Sequence, residues 1–414
     1  MTSEIKQRIE QIRRGEVPEG YKKIHGDIVP LTWHQISLAD CIVPYEEKTS
    51  VANQYPVLTS SRKGLMLQTD YYSNRQVTTE DNVGYNIIPF GYITFRSRSD
   101  DGRFKFNQNS IIDRGIISYF YPVFTFSDGV SCEFLLQLLN HTIYKKMFPY
   151  AEGTAQQVLS LKKLGRFKYP VPQIHEQQKI ATVLSSQDKL VELKEKLLAE
   201  KQRQKKYLMQ QLLTGKRRLP GFEGVWKYIP AREIFKSITD KKHSGDIQVL
   251  SSTQDRGIVP RDQVGIDIKY EADSLSSYKK VEKGNFVISL RSFQGGIEYS
   301  DYTGIVSPAY TVLKSIEKIS DEYYKQFFKS TDYINRLNIA VYGIRDGKQI
   351  SYEDFGRIKI PYPALDEQIA IAKVLSTADR ENDLLRQDIE QEKQKKKALM
   401  QLLLTGIVRV TPCH

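Results

Sequence analysis

Apolar residues return at three- and four-residue steps along two long stretches of the chain. In the first, Ile180, Val183, Leu184, Val191, Leu197, Leu198, Leu208 and Leu212 fall on one stripe; in the second, Ile371, Val374, Leu375, Leu384, Ile389, Leu399 and Leu403 do the same. That period predicts an amphipathic helix in each place. Pro170 and Pro172 precede the first stretch and Pro361 and Pro363 the second. Proline pushes the residue before it into extended backbone, so the helices are expected to start near Ile174 and Leu365. They stop at Thr214-Gly215 and Thr405-Gly406, where glycine suits the left-handed residue just past a helix end. About 40 residues at ~1.5 Å each make a rod of roughly 60 Å, and a helix that long with one apolar stripe calls for a partner.

The two stretches are copies of one another. Gly165 to Leu219 and Gly356 to Val410 align without a gap and share nearly half of their residues, so each helix is the other's candidate partner. The plainer alternative is two helices each packed on its own domain. Basic runs recur at matching places, Lys201, Arg203, Lys205 and Lys206 in one copy and Lys393, Lys395, Lys396 and Lys397 in the other; such runs are ordinarily solvated faces. Ahead of both copies, Ile5, Ile9 and Ile12 share one face of a short segment ending at Arg13-Arg14-Gly15. This arm is expected at the end of the rod beside the tail Ile407 to Val410, closing the duplicated chain into a ring-like arrangement.

Elsewhere the period changes to short β-rich runs broken by turns: YPVLTS, YNIIPF, GYITFRS and IISYFYPVFTF in the first half, IQVLSS, NFVISLRS and GIVSPAYTVL in the second. The duplication extends into them. Val57-Leu58 matches Val249-Leu250; Gly115, Ser118, Tyr121 and Val123 match Gly304, Ser307, Tyr310 and Val312; Glu133 and Gln137 match Glu322 and Gln326. Between these anchors the residues differ freely, as expected of two readers of different targets. One helical stretch is expected in each, Cys132 to Met147 and Asp321 to Leu337. With no regular βαβ alternation, the fold class is mixed α/β (α+β) with antiparallel or mixed sheet. The expected organisation is an N-terminal arm (1–32), a first variable domain (33–164), a first helical region (165–219), a second variable domain (220–355), and a second helical region with the tail (356–414).

Charge narrows the function. A net charge of +12 points to a polyanion, most simply nucleic acid. Cys41, Cys132 and Cys413 lie far apart, and the histidines His25, His34, His141, His175, His243 and His414 form no HExxH or ligand-like cluster, so no metal site or disulfide framework is indicated. No run approaches a membrane span and no signal-type segment opens the chain, so no membrane association and a cytoplasmic location are expected. Asn86 to Phe90 does not make the NPP[FY] string of an adenine methyltransferase. Gly343 to Gln349 is one residue short of a phosphate loop and ends in glutamine.

Two variable domains, each followed by PxP-x-x-x-EQ-x-x-IA-x-VLS and a helix ending in LMQ-x-LLTG, resemble the specificity subunit of type I restriction-modification enzymes. The motif is Pro170, Pro172, Glu176, Gln177, Ile180, Ala181 and Val183-Leu184-Ser185 in one copy, and Pro361, Pro363, Glu367, Gln368, Ile371, Ala372 and Val374-Leu375-Ser376 in the other. The resemblance implies that each variable domain is a target recognition domain reading one half of a bipartite, asymmetric site in double-stranded DNA. It also implies that the long helices pair as an antiparallel coiled coil in a pseudo-twofold tandem duplication, with the motif residues serving helix pairing. The helices would set the gap between half-sites and dock two methyltransferase subunits, and two restriction/translocase subunits can join. The subunit itself is then non-catalytic and carries no cofactor; S-adenosylmethionine belongs to the methyltransferase, and ATP and magnesium to the motor nuclease. A stand-alone basic DNA-binding coiled-coil scaffold and an unrecognised nuclease are the competing classes.

Base readout needs arginine, lysine, asparagine or glutamine on loops that enter a groove. In the first domain the turn-rich segment Arg96 to Asn107 alternates basic and aromatic residues and supplies Arg96, Arg98, Arg103 and Lys105; Arg62 and Lys63 form a second loop. The matching loops of the second domain offer Arg256, and Arg291 with Gln294 beside paired glycines. Arg345 and Lys348, just before the second proline motif, correspond roughly to Gln156 and Gln157. The side chains at equivalent loops differ, so two different half-sites are expected.

Overall fold

The two apolar stripes fold as long helices within a residue of the expected starts. The structure, a computed structural model, describes residues 3–72, 81–147, 157–243, 247–264, 272–290, 292, 296–340 and 350–410. Its principal helices are α1 (Ser3–Arg13), α2 (Cys132–Met147), α3 (Ile174–Leu212), α4 (Asp321–Phe327), α5 (Thr331–Ala340) and α6 (Leu365–Leu404). The chain divides into two compact units, Met1–Leu193 with Glu390–His414, and Lys194–Ile389. Each long helix therefore supplies residues to both.

In the first unit the principal strands are β1 (Ile42–Tyr45), β2 (Leu58–Ser61), β3 (Gly64–Leu67), β4 (Asn86–Pro89), β5 (Ile93–Phe95), β6 (Phe106–Gln108), β7 (Arg114–Ile117) and β8 (Val123–Phe126). A four-stranded antiparallel sheet runs β6-β5-β8-β1, with a β2–β3 hairpin and a β4–β7 pair beside it. α2 lays Phe134, Leu135, Leu138, Leu139 and Ile143 into the core, where they meet Ile180 and Leu184 of α3 and Leu403 and Leu404 of α6. The run IISYFYPVFTF, read as one β-rich stretch, is two strands split by a turn in which Tyr121 N donates to Ser118 O.

The second unit repeats the plan with β9 (Phe235–Ile238), β10 (Leu250–Thr253), β11 (Gly257–Pro260), β12 (Lys279–Val281), β13 (Phe286–Ile288), β14 (Glu298–Tyr299), β15 (Gly304–Val306) and β16 (Thr311–Ser315). Its four-stranded sheet, β9-β16-β13-β14, has the order of β1-β8-β5-β6. One isolated parallel bridge in each unit also corresponds, Val57 to Ile116 and Val249 to Ile305. The matched glycines stand where a side chain has no room: a Cβ at Gly115 would lie 2.5 Å from Leu58 Cδ1, and at Gly304 2.4 Å from Gln248 O. One expectation fails here. The single helix expected over Asp321 to Leu337 is broken into α4 and α5, because Ser330 Oγ accepts from Tyr333 N and starts a new helix. A serine side chain offers the backbone this alternative to continuing the helix.

The long helices both pair and pack on their domains. In the second unit Lys194 Nζ lies 2.8 Å from Asp388 Oδ2, Lys201 Nζ 3.0 Å from Glu381 Oε2, and Lys205 pairs with Asp379. Numbers rise along α3 as they fall along α6, so the helices run antiparallel. In the first unit Gln187 Nε2 donates to Glu392 Oε2 at 2.6 Å and Lys396 pairs with Asp188. Lys201, Lys205 and Lys396 of the recurring basic run thus meet carboxylates of the opposite helix, while Arg203 and Lys395 pair within their own. Each exposed pair contributes at most about 1 kcal/mol, so these contacts set register more than stability.

The motif residues occupy other places. Pro170 lies in the extended segment Lys168–Val171, paired with His34–Ser37, and Pro361 in Lys359–Tyr362, paired with Lys227–Pro230. Gln177 is buried: its Oε1 accepts from Ser131 N and its Nε2 donates to Pro172 O, both at 2.9 Å. Gln368 does the same with Ser320 N and Pro363 O, also at 2.9 Å. Ser131 and Ser320 cap α2 and α4, accepting from Phe134 N and Tyr323 N. Each glutamine therefore fastens the start of a long helix to the capped start of its own domain's helix. Glu176 accepts two bonds from Arg409, at 3.1 and 2.7 Å, and Glu367 accepts two from Arg218, at 2.5 and 2.7 Å, plus Trp226 Nε1 at 2.9 Å. Helix pairing was the expectation for these residues. The geometry assigns them to joints between domain, helix and tail, because they sit at the helix starts, where the adjoining surface is the domain.

At the chain ends, Arg8 Nη1 donates to Ile407 O at 3.0 Å and Tyr21 Oη to Gly406 O at 3.0 Å, so the arm meets the tail. Gly406 has φ +73° and a Cβ there would stand 2.5 Å from Pro30 Cδ; Gly215, at the end of α3, has φ +70° and faces Trp226. Two stability predictions follow from these joints. Gln177→Leu leaves the Ser131 N–H and the Pro172 carbonyl without their partner and is expected to cost about 2–4 kcal/mol in urea denaturation; a loss under about 0.5 kcal/mol would refute the joint. Gly406→Ala meets both the left-handed backbone and the proline ring, and is expected to cost at least about 2 kcal/mol by the same measurement.

Candidate nucleic-acid interface

The sheet of the first domain ends β5 at Phe95, and the chain then leaves it as a loop rich in cations. Asp101 organises this loop. Its Oδ1 accepts from Ser99 Oγ at 3.0 Å, from Arg103 N at 3.2 Å and from Arg62 Nη2 at 2.5 Å. The Arg62 hydrogen bond is the main reason its carboxyl is held down to about 2. Across this link the β2–β3 turn is tied to the loop that follows β5.

The two loops wall a cleft of about 410 Å³ lined by Arg62, Lys63, Arg96, Arg98, Arg103 and Lys105 together with Tyr71, Tyr72 and Tyr121. A second hollow of about 770 Å³ shares Tyr72, Arg96, Arg98 and Tyr121 with it. All six cations expected from the sequence in these loops therefore converge on one face. Arg98 lies over the Phe120 ring, 5.1 Å from its centroid, and Arg103 over Tyr144 at 5.4 Å. Desolvation first, then the charge of Lys396, lowers the Lys105 ammonium from its usual range. Burial raises the Tyr121 hydroxyl, while nearby Arg96 opposes that shift. Such a surface, basic and aromatic together, suits a phosphate backbone flanking exposed base edges.

Gln157 does not join the cleft. Its Oε1 is buried without a partner among the described residues, and a Cβ at Gly102 would stand 2.7 Å from it. Gln156 lies outside the described residues, as do Arg291, Gln294, Arg345 and Lys348. In the second domain Arg256 is exposed at the β10–β11 turn, where Thr253 Oγ1 accepts from its backbone N at 3.2 Å and its Nη1 and Nη2 each donate to Gln263 O at 3.3 Å. Lys329, which the sequence did not single out, donates to Gln254 O in the same loop at 3.3 Å and pairs with buried Glu298. Desolvation raises the Glu298 carboxyl, and the Lys329 charge opposes that. No local pattern marks this pair, whose partners come from different elements.

Among the described residues no group of histidine, cysteine, aspartate and glutamate is arranged to hold a metal, and no helix is long and apolar enough to cross a membrane.

Comparisons with known proteins agree with this arrangement. The family profile described as type I restriction modification DNA specificity domain matches twice, at residues 36–201 and 223–394. The type I restriction enzyme MjaVIII specificity subunit of Methanocaldococcus jannaschii is 24% identical over 95% of this chain and 96% of its own. Two solved structures share the fold. The type I restriction-modification system S subunit from M. genitalium has a TM-score of 0.52 at 14% identity, covering 92% of this chain and 97% of that one. A chain from a study of complex assembly and conformational transition of the type I R-M system has a TM-score of 0.55 at 15% identity, covering 92% and 99%. Two profile matches spanning most of the sequence decide the matter: this chain belongs to the type I restriction modification DNA specificity domain family.

Proposed function

We propose that this chain is the DNA sequence-specificity subunit of a type I restriction-modification system, and that each recognition domain reads one half of a bipartite, asymmetric site. The observation that carries this reading is one β-frame built twice with different side chains at matching loops: Arg62 and Lys63 at the β2–β3 turn against Arg256 at β10–β11. Arg62, Lys63, Arg96, Arg98, Arg103 and Lys105 contact the first half-site. Arg256, Arg291, Gln294, Arg345 and Lys348 serve the second, with Gln156 as the first domain's counterpart of the last two. Gln157 serves its loop through the backbone, pairing as a short strand with Ser99.

The paired helices set the spacer and dock two methyltransferase subunits, which two restriction/translocase subunits can join in the cytoplasm. The chain is a non-catalytic subunit. S-adenosylmethionine is bound by the methyltransferase, and ATP and magnesium by the motor nuclease. Nothing among the comparisons favours a stand-alone scaffold.

Single-molecule sequencing of cells carrying this chain with its methyltransferase tests the reading. A bipartite adenine-methylated motif should appear, vanish on deletion, and change in one half when residues 33–164 are exchanged; a motif whose halves are identical would refute two different readers. The Arg62–Asp101 pair gives a sharper test. Arg62→Ala should weaken binding of the methyltransferase complex to that motif and shallow its salt dependence by about one unit of slope. In the same variant the Asp101 carboxyl, followed by NMR titration, should rise from about 2 toward the ordinary carboxylate range. An unchanged titration would show that the pair does not form in solution.

A further inference from the structure

The β7–β8 turn of the first domain carries two aromatic rings where the second domain carries none. Tyr119 and Phe120 occupy its two central positions and are 59% and 43% exposed. Their ring centroids are 4.2 Å apart. The corresponding β15–β16 turn has the same closing bond, Tyr310 N to Ser307 O at 3.0 Å, but its exposed central residues are Pro308 and Ala309. Turn geometry is shared, so it does not require aromatics there.

The ring pair stands between two hollows. On one side is the space of about 770 Å³ with Arg96, Arg98 and Tyr85; on the other, one of about 570 Å³ lined by Pro44, Tyr45 and Leu161. Both hollows are bordered by Tyr119 and Phe120, so the turn forms a narrow ridge. The Arg98 guanidinium lies over the Phe120 face, placing positive charge against the ridge.

We propose that Tyr119 and Phe120 are a specificity-determining wedge that enters a base-pair step of the first half-site and unstacks it, while Arg96 and Arg98 hold the adjoining phosphates. This rests on the reading of the chain as a DNA-specificity subunit. The rings of a duplex are open to an aromatic side chain only where a step is parted, and a ridge one turn wide between two hollows matches that shape. Apolar wedges part base steps and kink the duplex, and the cost of parting depends on the sequence parted. The first half-site is therefore read partly through a deformable pyrimidine–purine step, and the second, facing Pro308 and Ala309, is not.

The test uses the full chain in complex with its methyltransferase, and duplexes bearing the mapped motif with 2-aminopurine placed in turn at each step outside the methylated adenines. The informative variant is Tyr119→Pro with Phe120→Ala, which installs the second domain's own turn residues. The wild-type complex should raise 2-aminopurine fluorescence at one step of the first half-site and none of the second. The variant should keep thermal stability, lose that signal and bind the motif roughly tenfold more weakly. Motif-selective binding with flat fluorescence at every step would overturn the wedge and leave the specificity function standing. A signal that persists in the variant would assign the unstacking to another element and also overturn it. A wild-type complex with no motif selectivity would overturn both readings.

Discussion

A buried glutamine at the start of each long helix is the constraint on which the recognition domains depend. Gln177 and Gln368 each satisfy one backbone donor and one backbone acceptor that lie in different elements of the chain. Away from water such groups must be paired, and an unpaired one costs more than a pair contributes. The glutamine has the two functions and the length to serve both sides at once. Its neighbour Glu176 or Glu367 holds an arginine from beyond a helix end by two bonds, and paired bonds of this kind fix orientation as well as distance. Adjacent residues thus bind the helix start to the domain on one side and to the chain's turn or tail on the other.

These joints explain the part of the sequence that stayed alike between the copies. The glycines, prolines and Glu-Gln pairs serve backbone geometry and buried hydrogen bonds, which do not change with the DNA read. Gly115 and Gly304 have no room for a side chain. At the cleft the proposed DNA contacts ask less of the backbone: a cation need only reach a groove, and its neighbours can change. One frame therefore tolerates Arg62 and Lys63 in one hairpin turn and Arg256 in the other. The Asp101 link fixes where the Arg62 guanidinium lies, since the carboxylate that accepts from it also accepts from the loop backbone.

The elements legible in the sequence were those whose signal is local. Period and proline placement give α3 and α6, and glycine gives their ends, because each rests on neighbours within a few residues. The break between α4 and α5 escaped because Ser330 fits an amphipathic helix by pattern and breaks it by capping. The turn at Ser118 escapes because Tyr119, Phe120 and Tyr121 in succession look like a strand. In the first cleft the cations were legible from their density. Their partners were not, since Asp101 meets Arg62 from another element and the Gln157 side chain occupies the space that the absent Cβ of Gly102 leaves. The same holds for Lys329 and Glu298, which only the fold brings together.

Helix register and domain placement are coupled within each unit by a shared carboxylate. Asp188 accepts from Gln137 of α2 at 3.2 Å and from Lys396 of α6; Asp379 accepts from Gln326 of α4 at 2.7 Å and from Lys205 of α3. In both units an aspartate on one long helix is held at once by its own domain and by the opposite helix. Sliding the helices by one turn, about 5.4 Å, would part the lysine from the carboxylate and leave the domain's glutamine facing an uncompensated charge. Each pair is weak alone, being partly exposed. Their value lies in making the helix register and the seat of the reading domain a single arrangement, so a domain can exchange its loops without loosening its hold on the helices.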